Sequence, residues 1–216
     1  MNETQLRDSS AVHVIDDDDG FRRALLRLLQ AAGLRTSGYR CAGEFLMHTA
    51  STPSGCILLD LGLPGPSGFD LLRSMVDRPS CPPVIIVTAR DDVATSVQAM
   101  KYGAINYIVK PICAGRLLPI VRHALHLDSE ERIRQLQRAA LRSRFDTLTE
   151  DERTIFLGTL CSRLNKQLAA ELGSCERTVK MRRARMMRKV GLRSVPDLVR
   201  AARLLEIPAE LCAPRE

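Results

Sequence analysis

The chain has 216 residues, of which 26% are charged, 45% hydrophobic and 4% aromatic, with no Trp. At roughly 100–200 residues per domain this allows one large domain or two small ones, and the shortage of aromatic residues argues against a β-sandwich. The net charge of +7 is uneven: residues 1–127 hold 13 Lys/Arg and 12 Asp/Glu, residues 128–216 hold 19 and 13, and a basic half beside a near-neutral one suggests a polyanionic partner, most commonly nucleic acid.

The first ten residues are polar and carry no signal-peptide pattern. Five short apolar runs follow, at 11–15, 34–39, 56–59, 84–87 and 104–109, and each predicts a strand. Between them the apolar residues recur at helical spacing: Phe21, Leu25, Leu28 and Leu29, then Phe69, Leu72 and Met75 or Val76, then Val93, Val97 and Met100. Alternating strand and helix five times predicts an α/β domain, a five-stranded parallel sheet with helices on both faces. Three of the runs are almost wholly apolar, as strands buried on both faces are. Ligands of such sheets bind at the carboxyl ends of the strands.

Residues 113–127 read as a fifth helix. It runs on into residues 128–144, where apolar positions (Ile133, Leu136, Ala140) are sparse among Glu, Arg and Gln, the pattern of a charged helical linker. From Thr147 the pattern is helical only. Thr149 followed by Glu150, Asp151 and Glu152 is a helix start; residues 165–172 form a short helix stopped by Gly173; residues 176–190 form a basic helix stopped by Gly191; Pro196 opens a last helix running to about Glu206. The expected division is an α/β domain over 9–127, a linker over 128–146 and an all-α four-helix domain over 147–212. The seven Cys (41, 56, 81, 113, 161, 175, 212) are scattered with no C-x-x-C, which argues against a disulfide framework or zinc site. No apolar run nears the roughly 18 residues of a membrane span, so a cytoplasmic protein with no membrane partner is expected.

Chemistry concentrates at predicted strand ends. Asp16, Asp17, Asp18 and Asp19 follow the first strand, Asp60 the third, Thr88 closes the fourth, and Lys110-Pro111 follows the fifth. Neighbouring strand ends bring Asp16, Asp17 and Asp60 together, where like charges repel. A hard divalent cation relieves this; Mg²⁺ prefers one or two carboxylates, completed by water and phosphoryl oxygens. A lysine and a hydroxyl facing that carboxylate would stabilise a phosphoryl group. Asp18 and Asp19 are expected to cap the first helix.

With these residues in place, the segments Val14-Ile15-Asp16-Asp17, Leu58-Leu59-Asp60-Leu61-Gly62-Leu63-Pro64-Gly65-Pro66-Ser67-Gly68, Val87-Thr88-Ala89 and Tyr107-Ile108-Val109-Lys110-Pro111 resemble the receiver domains of response regulators, over residues 10–127. The resemblance implies a flavodoxin-like (CheY-like) fold. It implies that Asp60 accepts a phosphoryl group from a sensor histidine kinase, and that Asp17, Asp60 and the backbone carbonyl of Gly62 ligate Mg²⁺ (or Mn²⁺), with Asp16 helping through water. It further implies that Lys110 pairs with the phosphoryl oxygens across a usually cis bond to Pro111, and that Thr88 and the rotating ring of Tyr107 sense the phosphate. Gly62 is smaller than the residue often found there, which opens the site to water.

The helix at 176–190 is rich in Lys and Arg. A short helix, a glycine turn and a basic second helix form a helix-turn-helix pattern, in which basic side chains meet phosphates and base edges in the major groove. The run from Leu148-Thr149-Glu150-Asp151-Glu152 through Asn165-Lys166-Gln167-Leu168-Ala169 and Thr178-Val179-Lys180 to Arg188-Lys189-Val190 resembles LuxR-type DNA-binding domains, and the whole chain resembles FixJ/NarL-type regulators. The resemblance implies phosphate contacts from Lys166 and Thr178 and base reading by Lys180 and its neighbours. The candidate DNA contacts are Lys166, Arg177, Thr178, Lys180, Met181, Arg182, Arg183, Arg185 and Arg188. Arg163 stands where a Gly is usual. Arg182 replaces a frequent His in the basic helix, and with that change no base preference carries over.

The expected function is therefore a transcriptional response regulator. Phosphorylation of Asp60 would change the surface of the fourth helix and fifth strand, favour a homodimer or release the DNA-binding domain, and promote binding to a two-half-site double-stranded operator, with RNA polymerase as a further partner. A receiver that works without phosphorylation is opposed by the complete Asp/Asp/Thr/Lys set. A flavin protein would need a hydroxyl- and glycine-rich loop where four Asp stand, and an aspartyl phosphohydrolase would want a second Asp where Gly62 stands. No enzymatic turnover is expected.

Overall fold

The structure is a computed structural model and describes residues 10–48, 53–76 and 81–207; Ser9 and Cys212, the expected outer domain limits, lie outside them. Five strands, β1 (Ala11–Ile15), β2 (Thr36–Tyr39), β3 (Gly55–Leu59), β4 (Val84–Thr88) and β5 (Asn106–Val109), form one parallel sheet in the order β2-β1-β3-β4-β5. Helices α1 (Asp19–Ala31), α2 (Ala42–His48), α3 (Gly68–Val76), α4 (Val93–Lys101) and α5 (Ala114–Asp146) alternate with them. Every residue of β3 and β4 is buried, which is why both read as continuous apolar runs.

The two-residue period of a strand divides the core into layers. Val12, Val14, Cys56, Leu58, Ile85 and Val87 face Leu25 and Leu29 of α1 and Leu117, Val121 and Ala124 of α5. Ile15, Ile57, Leu59, Val84 and Ile86 face Phe45 of α2, Leu71, Leu72 and Met75 of α3, and Ala99 of α4. The Val76 side chain lies outside the described residues. Strands β2 and β5 begin two residues after the apolar runs that predict them. The cause is the turn closing the preceding helix: Gly33 and Gly103 adopt positive φ (78° and 86°), and the next N–H, from Leu34 or Ala104, returns to the carbonyl of Leu29 or Ala99 at 3.1 Å.

The chain divides into two compact units, with the boundary at Ile133/Arg134 within α5. α5 is one 33-residue helix containing Pro119. Asp128 and Ser129 are buried in the first unit. The Asp128 carboxylate accepts from the Gly55 N–H at 3.0 Å, and burial raises its pKa, opposed by that hydrogen bond and by Arg132. Gly55 has φ +116°, and a Cβ there would lie 1.9 Å from the Ala11 carbonyl oxygen, so only glycine fits.

The second unit contains α6 (Glu150–Leu160), α7 (Asn165–Glu171), α8 (Glu176–Val190) and α9 (Val195–Leu204). Its core joins Leu148, Ile155, Phe156, Leu168, Val179, Met186, Val190, Leu198 and Ala202. Thr149 and Glu152 form a reciprocal capping box at the start of α6. Gly191, at φ 80°, ends α8 in the left-handed region. α9 ends at Leu204, short of Glu206, because Glu206 turns to φ 53° and the Ile207 N–H returns to the Ala202 carbonyl. Among the described residues no helix is long and apolar enough to cross a membrane.

Candidate functional site

The first site gathers at the carboxyl edge of the sheet. Asp16 follows β1 and is 1% exposed; Asp60 follows β3 and is 8% exposed. The two strand ends adjoin because β1 pairs with β3 in register, Ile15 opposite Leu59, and the Asp60 N–H donates to the Ile15 carbonyl at 2.9 Å. Lys110, just beyond β5, donates from Nζ to Asp16 Oδ2 at 2.7 Å and to Asp60 Oδ2 at 2.8 Å. Its ammonium also lies 4.2 Å from the centre of the Phe21 ring. Asp60 Oδ1 accepts from the Gly62 N–H at 3.1 Å, and the Lys110–Pro111 peptide is cis.

Exposed Asp17 completes the cluster: carboxylate oxygens of Asp16, Asp17 and Asp60 lie within 4.8 Å of one another. Burial raises the Asp16 pKa, although Lys110 and the Asp18 N–H pull it back. Burial also works against the Lys110 ammonium, but its bonds to Asp16 and Asp60 outweigh this and hold its pKa above the ordinary value. One ammonium against three carboxylates leaves two negative charges, and the oxygen donors suit a hard divalent cation that neutralises them.

The other two Asp of the run serve the local backbone. Asp18 caps α1, accepting from the Gly20 and Phe21 N–H groups at 2.8 and 3.0 Å, which lowers its pKa. Asp19 pairs with Arg22 and, at 3.5 Å, with Arg40. Buried Arg22 also donates to the Asp16 carbonyl at 2.6 Å and so ties down the loop that carries Asp16 and Asp17; nothing in local spacing announces this role.

Thr88 ends β4 and is buried, and its carbonyl accepts from the Lys110 N–H at 2.8 Å. Its hydroxyl accepts from the Arg90 N–H at 3.4 Å. Half-buried Tyr107, on β5, donates its hydroxyl to the Arg90 carbonyl at 2.7 Å. Burial raises the Tyr107 pKa, aided by Asp92 and Asp91. Thr88 and Tyr107 thus meet the same residue, Arg90, in the loop leading to α4.

The second site is α8. At about 100° per residue, buried Val179, Met186 and Val190 make its inner face. Arg177, Lys180, Met181, Ala184 and Arg188 fall opposite, and all five are exposed. Arg182, Arg185 and Lys189 form a flanking stripe turned to the acidic first turn of α6. Arg182 pairs with Asp151 at 2.5 Å; Arg185 and Lys189 pair with Glu152 at 3.6 and 2.5 Å. Arg183 is half-buried on the other flank, and Thr178 in the first turn contacts Cys175 Sγ through Oγ1 at 3.2 Å. Lys166 is exposed on α7. Ala184 lies at the centre of the outward face without a charge to mark it; its position follows from helical period alone.

Residues 12–122 match the family described as response regulator receiver domain, and residues 146–202 match bacterial regulatory proteins of the luxR family. The chain belongs to the response regulators. Nodulation protein W of Bradyrhizobium diazoefficiens is 35% identical to this regulator over 206 residues, 95% of this chain and 91% of that protein. Transcriptional regulatory protein FixJ of Azorhizobium caulinodans is 35% identical over 208 residues, 96% of this chain and 99% of that protein. Among solved structures, response regulator StyR aligns with a TM-score of 0.79 at 35% identity, covering 90% of this chain and 98% of StyR. Full-length FixJ from B. japonicum aligns with a TM-score of 0.54 at 30% identity, covering 92% and 98%.

The regulator is therefore a DNA-binding transcription regulator of a two-component system: its receiver implies a sensor kinase, and its luxR-type domain implies DNA. Receiver domains bind Mg²⁺ at an acidic pocket, and the Asp16, Asp17 and Asp60 cluster is of that kind.

Proposed function

We propose that Asp60 is the phosphoacceptor and that its phosphorylation by a sensor histidine kinase controls dimerisation and operator binding. The observation that carries this is Lys110 Nζ bonded to both Asp60 and Asp16 inside a three-carboxylate cluster. A carboxylate oxygen of Asp60 attacks phosphorus, the bond from phosphorus to the donor's histidine nitrogen breaks, and an acyl phosphate forms. Lys110 stays on the phosphoryl oxygens, exchanging part of its carboxylate pairing for them. Asp17, Asp60 and the Gly62 carbonyl would hold Mg²⁺ or Mn²⁺, with Asp16 reached through water; bound there, the ion offsets negative charge on carboxylate and phosphoryl oxygens.

Thr88 and Tyr107 are the readout. A phosphoryl group competes for the Thr88 hydroxyl and loosens its contact with the Arg90 N–H, and Tyr107 holds the same loop through the Arg90 carbonyl. The exposed apolar residues Val93, Val97 and Met100 of α4 lie beyond that loop, where a changed surface would favour a homodimer. The dimer would then place two copies of α8 on a two-half-site operator. Arg177, Lys180, Met181 and Arg188 would enter the major groove, Lys166 and Thr178 would meet phosphates, and RNA polymerase would be engaged from the bound dimer. The working compartment is the cytoplasm.

The test is incubation with acetyl phosphate and Mg²⁺ followed by intact-mass measurement. One added phosphoryl group is expected on the wild type and none on Asp60→Asn. An unmodified wild type, or an unchanged adduct on Asp60→Asn, defeats the assignment.

A further inference from the structure

The ion pairs on the flank of α8 divide its cations into two kinds. Arg177, Lys180 and Arg188 are exposed opposite the core. Arg182 is held: its Nη1 lies 2.5 Å from Asp151 Oδ2, with both side chains partly open to solvent (37% and 48% exposed). The neighbouring Arg185 and Lys189 share a different carboxylate, Glu152, which is buried and itself fixed by the capping box. Among the described residues of α8, Arg182 is the cation that Asp151 meets.

A free arginine beside a DNA groove binds any phosphate within reach, and phosphate contacts carry no sequence information. An arginine paired with a carboxylate must give up that ion pair to follow the backbone of an unmatched duplex, and its carboxylate partner repels phosphates nearby. The guanidinium still has donors left after one N–H is taken by Asp151, so it can serve a site whose geometry brings an acceptor to it.

Resting on the reading of α8 as the DNA-reading helix, we propose that Asp151 is a specificity-determining residue. By restraining Arg182 it suppresses sequence-independent binding and widens the gap between operator and unmatched DNA. This is discrimination by a repulsive element as well as an attractive one. Arg182 differs in kind from Lys180 and Arg188: it is a conditional contact, governed from α6.

The experiment measures affinity of the full-length phosphorylated protein for an operator recovered by selection from random oligonucleotides and for mixed-sequence duplex, across a salt series. Asp151→Asn should tighten binding to mixed-sequence DNA several-fold and steepen its salt slope by about one phosphate's worth, roughly 0.9 in log–log units. Operator affinity should rise less, so the specificity ratio narrows. Asp151→Glu, which keeps a carboxylate on Arg182, should preserve the wild-type ratio. In an Arg182→Ala background the extra effect of Asp151→Asn should vanish, a result that a general loss of negative charge or of helix stability would not give.

An unchanged ratio in Asp151→Asn, or a change that persists in Arg182→Ala, overturns the proposal. Lys180→Ala separates the two levels. If it weakens binding while Asp151→Asn leaves the ratio alone, only the role of Asp151 falls. If Lys180→Ala keeps wild-type affinity and salt slope, the reading helix and this proposal fall together.

Discussion

At residue 152 one buried carboxylate closes the capping box with the Thr149 N–H at 3.0 Å and accepts from Lys189 Nζ at 2.5 Å, with Arg185 at 3.6 Å. Burial alone would raise the Glu152 pKa, but Lys189, the Thr149 N–H and Arg185 outweigh it, and the folded value lies below the ordinary one. A depressed carboxyl pKa contributes stability above the unfolded value, about 4.3, and loses it as pH falls through the folded value. Glu152→Gln should therefore weaken the second unit by about 2 kcal/mol near neutrality, since Lys189 loses its charged partner, and should flatten the acid limb of its stability. Amide exchange of α6 and α8 in the full chain, corrected for intrinsic rates, measures this; equal pH dependence in wild type and variant would remove Glu152 as the cause. The sequence showed half of this residue's work. Thr149 and Glu152 stand three apart, so the cap was visible as a local pattern, whereas the partners on α8 are brought close only by the packing of two helices. The same holds for Asp151 and Arg182. By contrast the strand-end positions of Asp16, Asp60, Thr88 and Lys110 are legible in the sequence, because each sits at the end of a run whose strand character and parallel pairing can be inferred.

Elements position these residues through a few close backbone approaches. α3 begins at Gly68, where a Cβ would lie 2.2 Å from the carbonyl oxygen of Asp60 and 2.8 Å from Leu61 Cα. The β3–α3 loop is thus folded onto the strand end that carries the proposed phosphoacceptor. Gly68→Ala must push that loop outward, and overpacking of this kind costs typically 1–3 kcal/mol, so a loss of about 2 kcal/mol is expected. It should also slow acetyl phosphate labelling of Asp60, because the displaced backbone carries the Gly62 N–H that now donates to Asp60 Oδ1. A variant with normal melting and normal labelling would show that the loop has slack the geometry denies. Strand starts are less legible in the sequence than strand ends. Hydrophobicity continues through the helix-closing turns at Gly33 and Gly103, so the apolar runs at 34–39 and 104–109 begin before the ladder does. β3 and β4, buried on both faces, left a continuous apolar signal with no such ambiguity. In α5 the charged composition after residue 127 gives no sign that Asp128 is buried against the Gly55 N–H; a polar residue that caps a strand looks, in sequence, like a polar residue in water.

For the whole molecule, charge separates the tasks: the near-neutral unit concentrates its carboxylates at one edge, and the basic unit presents exposed cations along α8. The acidic edge has a thermodynamic consequence. Three carboxylates facing one lysine repel one another in the folded state, and a bound divalent cation converts that repulsion into attraction. Mg²⁺ should therefore raise the melting temperature of the receiver unit, by a free energy that grows as RT ln(1 + [Mg²⁺]/Kd), about 2.7 kcal/mol at a hundredfold excess over Kd. Asp17→Asn separates attraction from repulsion. Asp17 is exposed and, among the described residues, makes no hydrogen bond within the cluster that its loss would orphan, so in EDTA the variant should melt no lower than wild type. In excess Mg²⁺ the order should reverse, because the wild type gains a ligand that the variant lacks. Thermal melts of both proteins in the two buffers decide the matter. If wild type and variant keep the same order with and without Mg²⁺, the cluster does not hold the ion through Asp17, and the pairing of Lys110 with Asp16 and Asp60 would have to satisfy the edge by itself.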